Sequence, residues 1–286
     1  MKPTASNPPL WSRRNAFKLL LAGGSASTLN GFCIEPSRCS LTREEISCPG
    51  LPPSLDGLRL GVMADFHFKP GTDEPLVKEA VKILRREKPD LIAMPGDFID
   101  SNPAVLDPLI ELLRDLDPTH GVFASMGNHD GWSASADRMT RRFERAGIPL
   151  LINRNSVIRI KGEKFAIAAT DHVWQGKPDP LLALRGIPRE VPVLALVHEP
   201  DFFDRMATFR NLLQISGHTH GGQCRVPFLG YAPAKVRYGK KYIQGSFSRE
   251  GSKLFVTRGL GTTGMRVRFA CPPEVALLTL RSHCAA

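Results

Sequence analysis

No run of about twenty apolar residues occurs in this chain, so no segment is long enough to span a bilayer comfortably. The six cysteines include no Cys-x-x-Cys pair, which argues against a thiolate zinc site. Aromatic residues make up only 7% of the chain. They form no aromatic–basic stacking motif or DNA-reading pattern, so no specific nucleic-acid partner is expected. Internal repeats and low-complexity tracts are absent too. Acidic residues are in deficit, 28 against 38 Lys and Arg, giving a formal net charge of +10. Such a balance favours anionic partners, whether nucleic acid, acidic lipid surface or phosphorylated substrate, without choosing among them.

What is present is ordinary for a globular protein: 286 residues, 42% hydrophobic, enough for one large domain or two small ones. The first thirty residues differ in character. Arg13-Arg14 and Lys18 precede Leu19-Leu20-Leu21-Ala22 and a small-residue tail from Gly23 to Ser27, the tripartite pattern of a secretory signal. The paired arginines resemble the twin-arginine export motif, with Ala16 where that pattern carries Phe and the Phe displaced to position 17. Residues 1–30 are therefore expected to be an export signal read by the twin-arginine machinery. The mature protein would then sit in the periplasm or on the outer face of the cytoplasmic membrane. Residues 31–50 lack a hydrophobic period and read as a linker or an edge strand; export would also let Cys33, Cys39 and Cys48 bridge there. Residues 51–286 are left as the main domain, which has to carry whatever chemistry the chain performs.

From Leu58 onward, short apolar runs alternate with polar loops and amphipathic segments. Leu58–Ala64, Leu91–Met94 and Val122–Met126 read as buried strands. Glu74–Lys88, Val105–Leu116 and Ala134–Ala146 carry apolar residues at helical spacing, the first closed by Pro89. Strand, loop and helix repeated in this way predict right-handed β-α-β units and a mostly parallel sheet. The second half changes rhythm: Val157–Ile160 and Phe165–Ala169 look like a hairpin. Val193–Val197, Leu212–Ile215, Leu254–Thr257 and Val275–Leu280 are further strands. Two mixed sheets packed face to face with helices outside, an α/β sandwich, are the expected fold.

The polar residues at the strand ends carry the chemistry. Asp65 and His67 follow the first strand, Asp97 the second, and Asn128, His129 and Asp130 the third. His198 follows a later strand, and Gly217-His218-Thr219-His220-Gly221-Gly222 another. Ligands of open α/β sheets bind outside the carboxyl ends of the strands, so these loops deliver their side chains to one edge. Taken singly, each loop is unremarked turn or capping chemistry. Taken together, Asp-x-His, Gly-Asp, Gly-Asn-His-Asp, a lone His and Gly-His-x-His appear in a fixed order.

That order resembles the calcineurin-like metallophosphoesterases, from about Leu58 to Leu280. Gly217–Gln223, Gly259–Gly264 and Pro272-Pro273-Glu274-Val275 resemble the bacterial subgroup that contains exported or membrane-associated phosphodiesterases. The resemblance implies two divalent ions per chain, and carboxylate, imidazole and amide ligands suit Mn, Fe or Zn. It places Asp65, His67, Asp97 and His220 on one ion, and Asp97, Asn128, His198 and His218 on the other, Asp97 bridging. It further implies a bridging hydroxide that attacks phosphorus, leaving the cluster about +1 by charge count. His129 would face the substrate and protonate the leaving oxygen, with Asp130 hydrogen-bonded to His129 to fix its tautomer.

The implied function is metal-dependent hydrolysis of a phosphoester, a diester by preference and in some relatives lipid-linked. One alternative is a pyrophosphatase acting on a nucleotide-linked lipid such as UDP-2,3-diacylglucosamine. Another, from a different class, is a non-catalytic scaffold, which would be expected to lose ligands that are all present here. A segment with Lys235, Arg237, Lys240, Lys241, Arg249, Lys253, Tyr231, Tyr238 and Tyr242 could steer a polyanion, touch acidic lipid peripherally, or simply face water.

Overall fold

The structure, a computed structural model, describes residues 27–226, 230, 232 and 236–282. Arg13, Arg14 and the apolar stretch of the expected export signal lie outside the described residues.

The strands in chain order are β1 (Ser40–Cys48), β2 (Leu58–Val62), β3 (Leu91–Pro95), β4 (Val122–Ser125), β5 (Leu150–Leu151), β6 (Arg154–Ile160), β7 (Glu163–Ala169), β8 (Val193–Leu196), β9 (Leu213–Ser216), β10 (Gly245–Arg249), β11 (Ser252–Val256) and β12 (Glu274–Ser282). They form two six-stranded sheets, ordered β1-β12-β2-β3-β4-β5 and β10-β11-β9-β8-β7-β6. Both sheets are mixed: β2 to β5 run parallel, as do β7, β8, β9 and β11, with antiparallel neighbours towards the edges.

The apolar runs behave as the pleat requires. Along β3, Leu91 and Ala93 enter the layer between the sheets, where Leu60, Val62, Phe123, Leu194, Leu196, Ile215 and Phe255 also meet. The alternate residues Ile92 and Met94 face outward into a second core with Val77, Val81, Leu84 and Phe143. Successive side chains point to opposite faces, so a strand covered on both sides reads as a continuous apolar run. A third core, around Ala195, Phe203, Met206 and Leu254, covers the other sheet. Each fully buried Leu, Val or Phe contributes roughly 1.5–3 kcal/mol.

The helix Glu74–Glu87 buries Leu76, Val77, Ala80, Val81 and Leu84, and ends where Lys88 turns left-handed (φ 50°), just before Pro89. It lies close on the sheet: a Cβ on Gly61 would stand 3.0 Å from Leu84 Cδ2 and 3.1 Å from Ile92 Cγ1. The other expected helices appear as Leu106–Leu113 and Ala136–Arg145. A short helix over Asn128–Ser133 was not expected; the Gly-Asn-His-Asp motif forms its start.

Two expectations for residues 31–50 need correction. The segment is not a linker: its second half carries β1 (Ser40–Cys48), an edge strand as the other reading had it, paired in parallel with β12 from Ser40↔Glu274 to Cys48↔Ser282. Ahead of it, the Gly31 carbonyl accepts from the Arg268 amide at 2.9 Å, which ties the stretch to the C-terminal loops. Nor do its cysteines bridge, since Cys33, Cys39 and Cys48 are all free thiols. Cys39 and Cys48 stand nine residues apart along an extended strand, a separation of about 30 Å that no disulfide can close.

Candidate active site

The carboxyl ends of β2, β3, β4, β8 and β9 lie along one edge of the sandwich, and their loops converge there. Donor atoms of Asp65, His67 and His220 lie within 4.8 Å of one another, as do those of Asp97, His198 and His218, and those of His67, Asp97 and His129. Asp97 stands between the groups: its Oδ2 is 3.1 Å from His198 Nε2 and 3.4 Å from His67 Nε2. His67 and His220 approach through their Nε2 atoms, 3.1 Å apart.

Turning so many side chains onto one edge needs unusual backbone. Asp65 (φ 52°), His67 (φ 40°), Asp97 (φ 55°), His218 (φ 73°) and His220 (φ 50°) all lie in the left-handed region. Residues with a Cβ are uncommon there, and such strain gathers at functional sites. The glycines of the motifs serve close approach. A Cβ on Gly127 would lie 2.1 Å from Asp97 Oδ1, and one on Gly217 2.5 Å from Asp65 Oδ2. Any side chain at either position would push a carboxylate out of the cluster.

Hydrogen bonds orient the rings. His198 Nδ1 donates to the Pro95 carbonyl at 2.6 Å, His218 Nε2 to the Arg237 carbonyl at 2.6 Å and His220 Nδ1 to the Gly261 carbonyl at 3.3 Å. One nitrogen of each ring is thereby occupied, which turns the other towards the cluster, the arrangement found behind metal-bound histidines. Asp65 Oδ2, Asn128 Oδ1 and His198 Nε2 are buried without a hydrogen-bond partner. Buried polar atoms rarely stay unpaired, so the donor set fits hard or borderline cations.

Electrostatics points the same way. Burial pushes the Asp65 carboxyl up to about 6, and the Asp97 charge adds to this against the nearby His198. Burial would raise Asp97 as well, but His198 and His67 outweigh it and hold its carboxyl well below the usual range. Burial opposes charge on His198 too, yet Asp97 and Asp65 raise its imidazole well above the ordinary value. Burial and the His198 charge drive His218 down to about 3; burial and His67 carry His220 well below its ordinary value. Two buried carboxylates this close require positive charge among them.

The sequence profile of the calcineurin-like phosphoesterases matches residues 58–222. An uncharacterized metallophosphoesterase, YkuE of Bacillus subtilis, is 31% identical over 282 residues, covering 95% of this chain and 98% of its own. The phosphodiesterase YaeI of Escherichia coli is 32% identical over 225 residues, covering 76% of this chain and 80% of its own. The chain belongs to the calcineurin-like phosphoesterase family. It is a hydrolase, on the α/β sandwich of two helix-flanked mixed sheets.

In this metallophosphoesterase the side chains around His129 differ from expectation. Asp130 does not orient the His129 ring. Its carboxylate accepts the backbone N–H groups of Asp97 (2.9 Å), Phe98 (2.9 Å), Ile99 (3.1 Å) and Gly127 (3.0 Å), lacing the two loops together. At the third position of its helix the side chain turns back to the helix start, as in a capping box. Burial and the Asp97 charge push this carboxyl up to about 7 against the lowering effect of those amides. The ring of His129 turns instead to Asp100, whose carbonyl lies 3.0 Å from Nδ1. Nothing in the spacing Asp97-x-x-Asp100 distinguishes this acid from a surface turn residue.

His129 is the most accessible of the clustered histidines, its side chain 23% exposed. The basic segment divides on the structure. Lys241 and Arg249 both pair with Asp204 at 2.7 Å, whereas Arg237 places its guanidinium 6.0 Å from the Trp174 ring centre beside the site. Tyr231 and Lys235 lie outside the described residues.

Proposed function

We propose that this metallophosphoesterase hydrolyses phosphodiesters at a centre of two divalent ions, Mn, Fe or Zn. The observation that carries this reading is the pair of donor sets sharing one edge, Asp65–His67–His220 and Asp97–His198–His218, with Asp97 also within reach of His67. Asp65, His67, Asp97 and His220 would hold one ion; Asp97, Asn128, His198 and His218 the other. When bound, such a pair supplies a hydroxide nucleophile bridging the ions and stabilises charge on a phosphoryl oxygen. The chain's own residues do the rest. Asp97 and Asp65 are fixed by amides, His129 N–H to Asp97 Oδ1 at 2.9 Å and His218 N–H to Asp65 Oδ1 at 2.8 Å. His129, with its Nδ1–H held by Asp100, would turn Nε2 to the leaving oxygen and, as the imidazolium, give it the Nε2 proton.

A diester is favoured because a relative of comparable length is named a phosphodiesterase. The test is hydrolysis by metal-reconstituted protein of matched mono- and diesters. Faster turnover of diesters is expected, and activity on monoesters alone would overturn the reading. We further propose export through the twin-arginine route, from the Arg13-Arg14 pattern. Replacing both by Lys should retain the protein in the cytoplasm, and unchanged fractionation would refute it.

A further inference from the structure

Two tryptophans stand at the mouth of the cluster and take no part in holding a cation. Trp132 follows His129 on the short helix, its ring 4.8 Å from the histidine ring and tilted by 47°. Trp174, on the loop after β7, meets Trp132 edge-on at 4.8 Å and 87°. Its other side faces His218 at 6.2 Å and 85°. The pair thus spans from the loop after β4 to the loop after β9, one from each sheet.

Folding does not explain them. Neither tryptophan belongs to any of the three hydrophobic cores, and Trp132 is 42% exposed. Their supports, by contrast, are built in. The fully buried Glu199 accepts the amides of Val173 and Trp174, both at 2.8 Å. A Cβ on Gly131 would stand 2.1 Å from His172 Nε2, so the helix carrying Trp132 lies directly on the loop carrying Trp174. Arg237 sets an exposed cation against Trp174 while its carbonyl orients His218.

We propose that Trp132 and Trp174 form a subsite for a flat aromatic ring, so that the favoured substrate is a phosphodiester bearing a nucleobase or similar heterocycle on one ester arm. The proposal rests on the phosphodiesterase reading above. Two rings at right angles make a corner in which a planar π-system can stack on one face and turn its edge to the other, the two contacts it prefers. Base–aromatic stacking tolerates any base, since every base has a π-face. Arg237 adds attraction for the phosphate or for the ring itself.

The experiment compares the thymidine and ethyl esters of nitrophenyl phosphate, which share one leaving group, on the metal-loaded full chain. The thymidine ester should be preferred in kcat/KM by at least about tenfold, the scale of one base–aromatic stack. Trp132→Ala and Trp174→Ala should each abolish most of that preference, through KM more than kcat. Trp132→Phe should restore it and Trp132→Leu should not. Separately, thymidine monophosphate should quench the tryptophan fluorescence of the wild type saturably, and Trp132→Ala and Trp174→Ala should each weaken the affinity read from the tryptophan that remains; no saturable quenching in the wild type would overturn the subsite. Equal kcat/KM for both esters, full preference retained in Trp132→Leu, or a long-chain alkyl ester outcompeting the thymidine ester would each overturn the subsite. Hydrolysis of neither ester by metal-loaded protein would instead refute the phosphodiesterase reading, and the quenching titration would still decide the subsite.

Discussion

His129 Nδ1 lies 3.2 Å from an Asp100 carboxylate oxygen, and the same oxygen stands 3.4 Å from His67 Nδ1. One acid therefore backs both the proposed proton donor and a proposed ligand. The His67 contact holds the Asp100 carboxyl below its ordinary range, against partial burial. Losing the outer partner of a ligating histidine typically costs ten- to a hundredfold in metal affinity or activity. Asp100→Ala should weaken metal binding by roughly that factor, read by competition with a chelator, and lower kcat as well. Unchanged affinity and rate would remove Asp100 from the site.

Asp97→Asn should abolish the coupled pair of ions, because the shared carboxylate loses the charge that both would bind. Elemental analysis still finding two tightly held metals per chain, with activity intact, would contradict the assignment of Asp97 as the bridge.

His129→Ala should keep its metals while kcat falls on the order of 10²–10⁴, the usual scale for a positioned acid. The loss should be smaller for a nitrophenyl ester, whose leaving group departs without a proton, than for an alkyl ester. His198→Ala and His218→Ala should lower metal occupancy and depress both substrates together. Metal loss in His129→Ala would place this histidine among the ligands.

Asp130→Ala should act on stability first. It strands four buried amides of the loops after β3 and β4. An unsatisfied buried donor costs about 1–3 kcal/mol, so a loss of at least about 3 kcal/mol in urea unfolding is expected even after relaxation. Asp130→Asn, keeping one acceptor oxygen, should lose less. A change below about 1 kcal/mol would show that these bonds do not hold the loops.

The amino-acid sequence alone determined the buried central strands and the edge on which the motifs meet, though not β5 or β10. A strand buried on both faces has to be an apolar run, and the polar residue that ends it has to sit at the sheet's rim. Asp65, Asp97, Asn128, His198 and His218 were legible for that reason. Only tertiary structure decided the rest, because it depends on contacts between distant segments. β1 carries a weak hydrophobic pattern, being an edge strand, and its pairing with β12 joins Ser40 to Glu274. Asp130, next to His129 in the sequence, was expected to orient its ring; in the folded chain it faces amides, and the Asp100 carboxylate lies 3.2 Å from the ring instead. Trp132 and Trp174 belong to no motif of the sequence, and only the loops after β4 and β7 bring their rings to 4.8 Å. Local periodicity encodes which face of an element is buried; it does not encode which partner loop that face will meet.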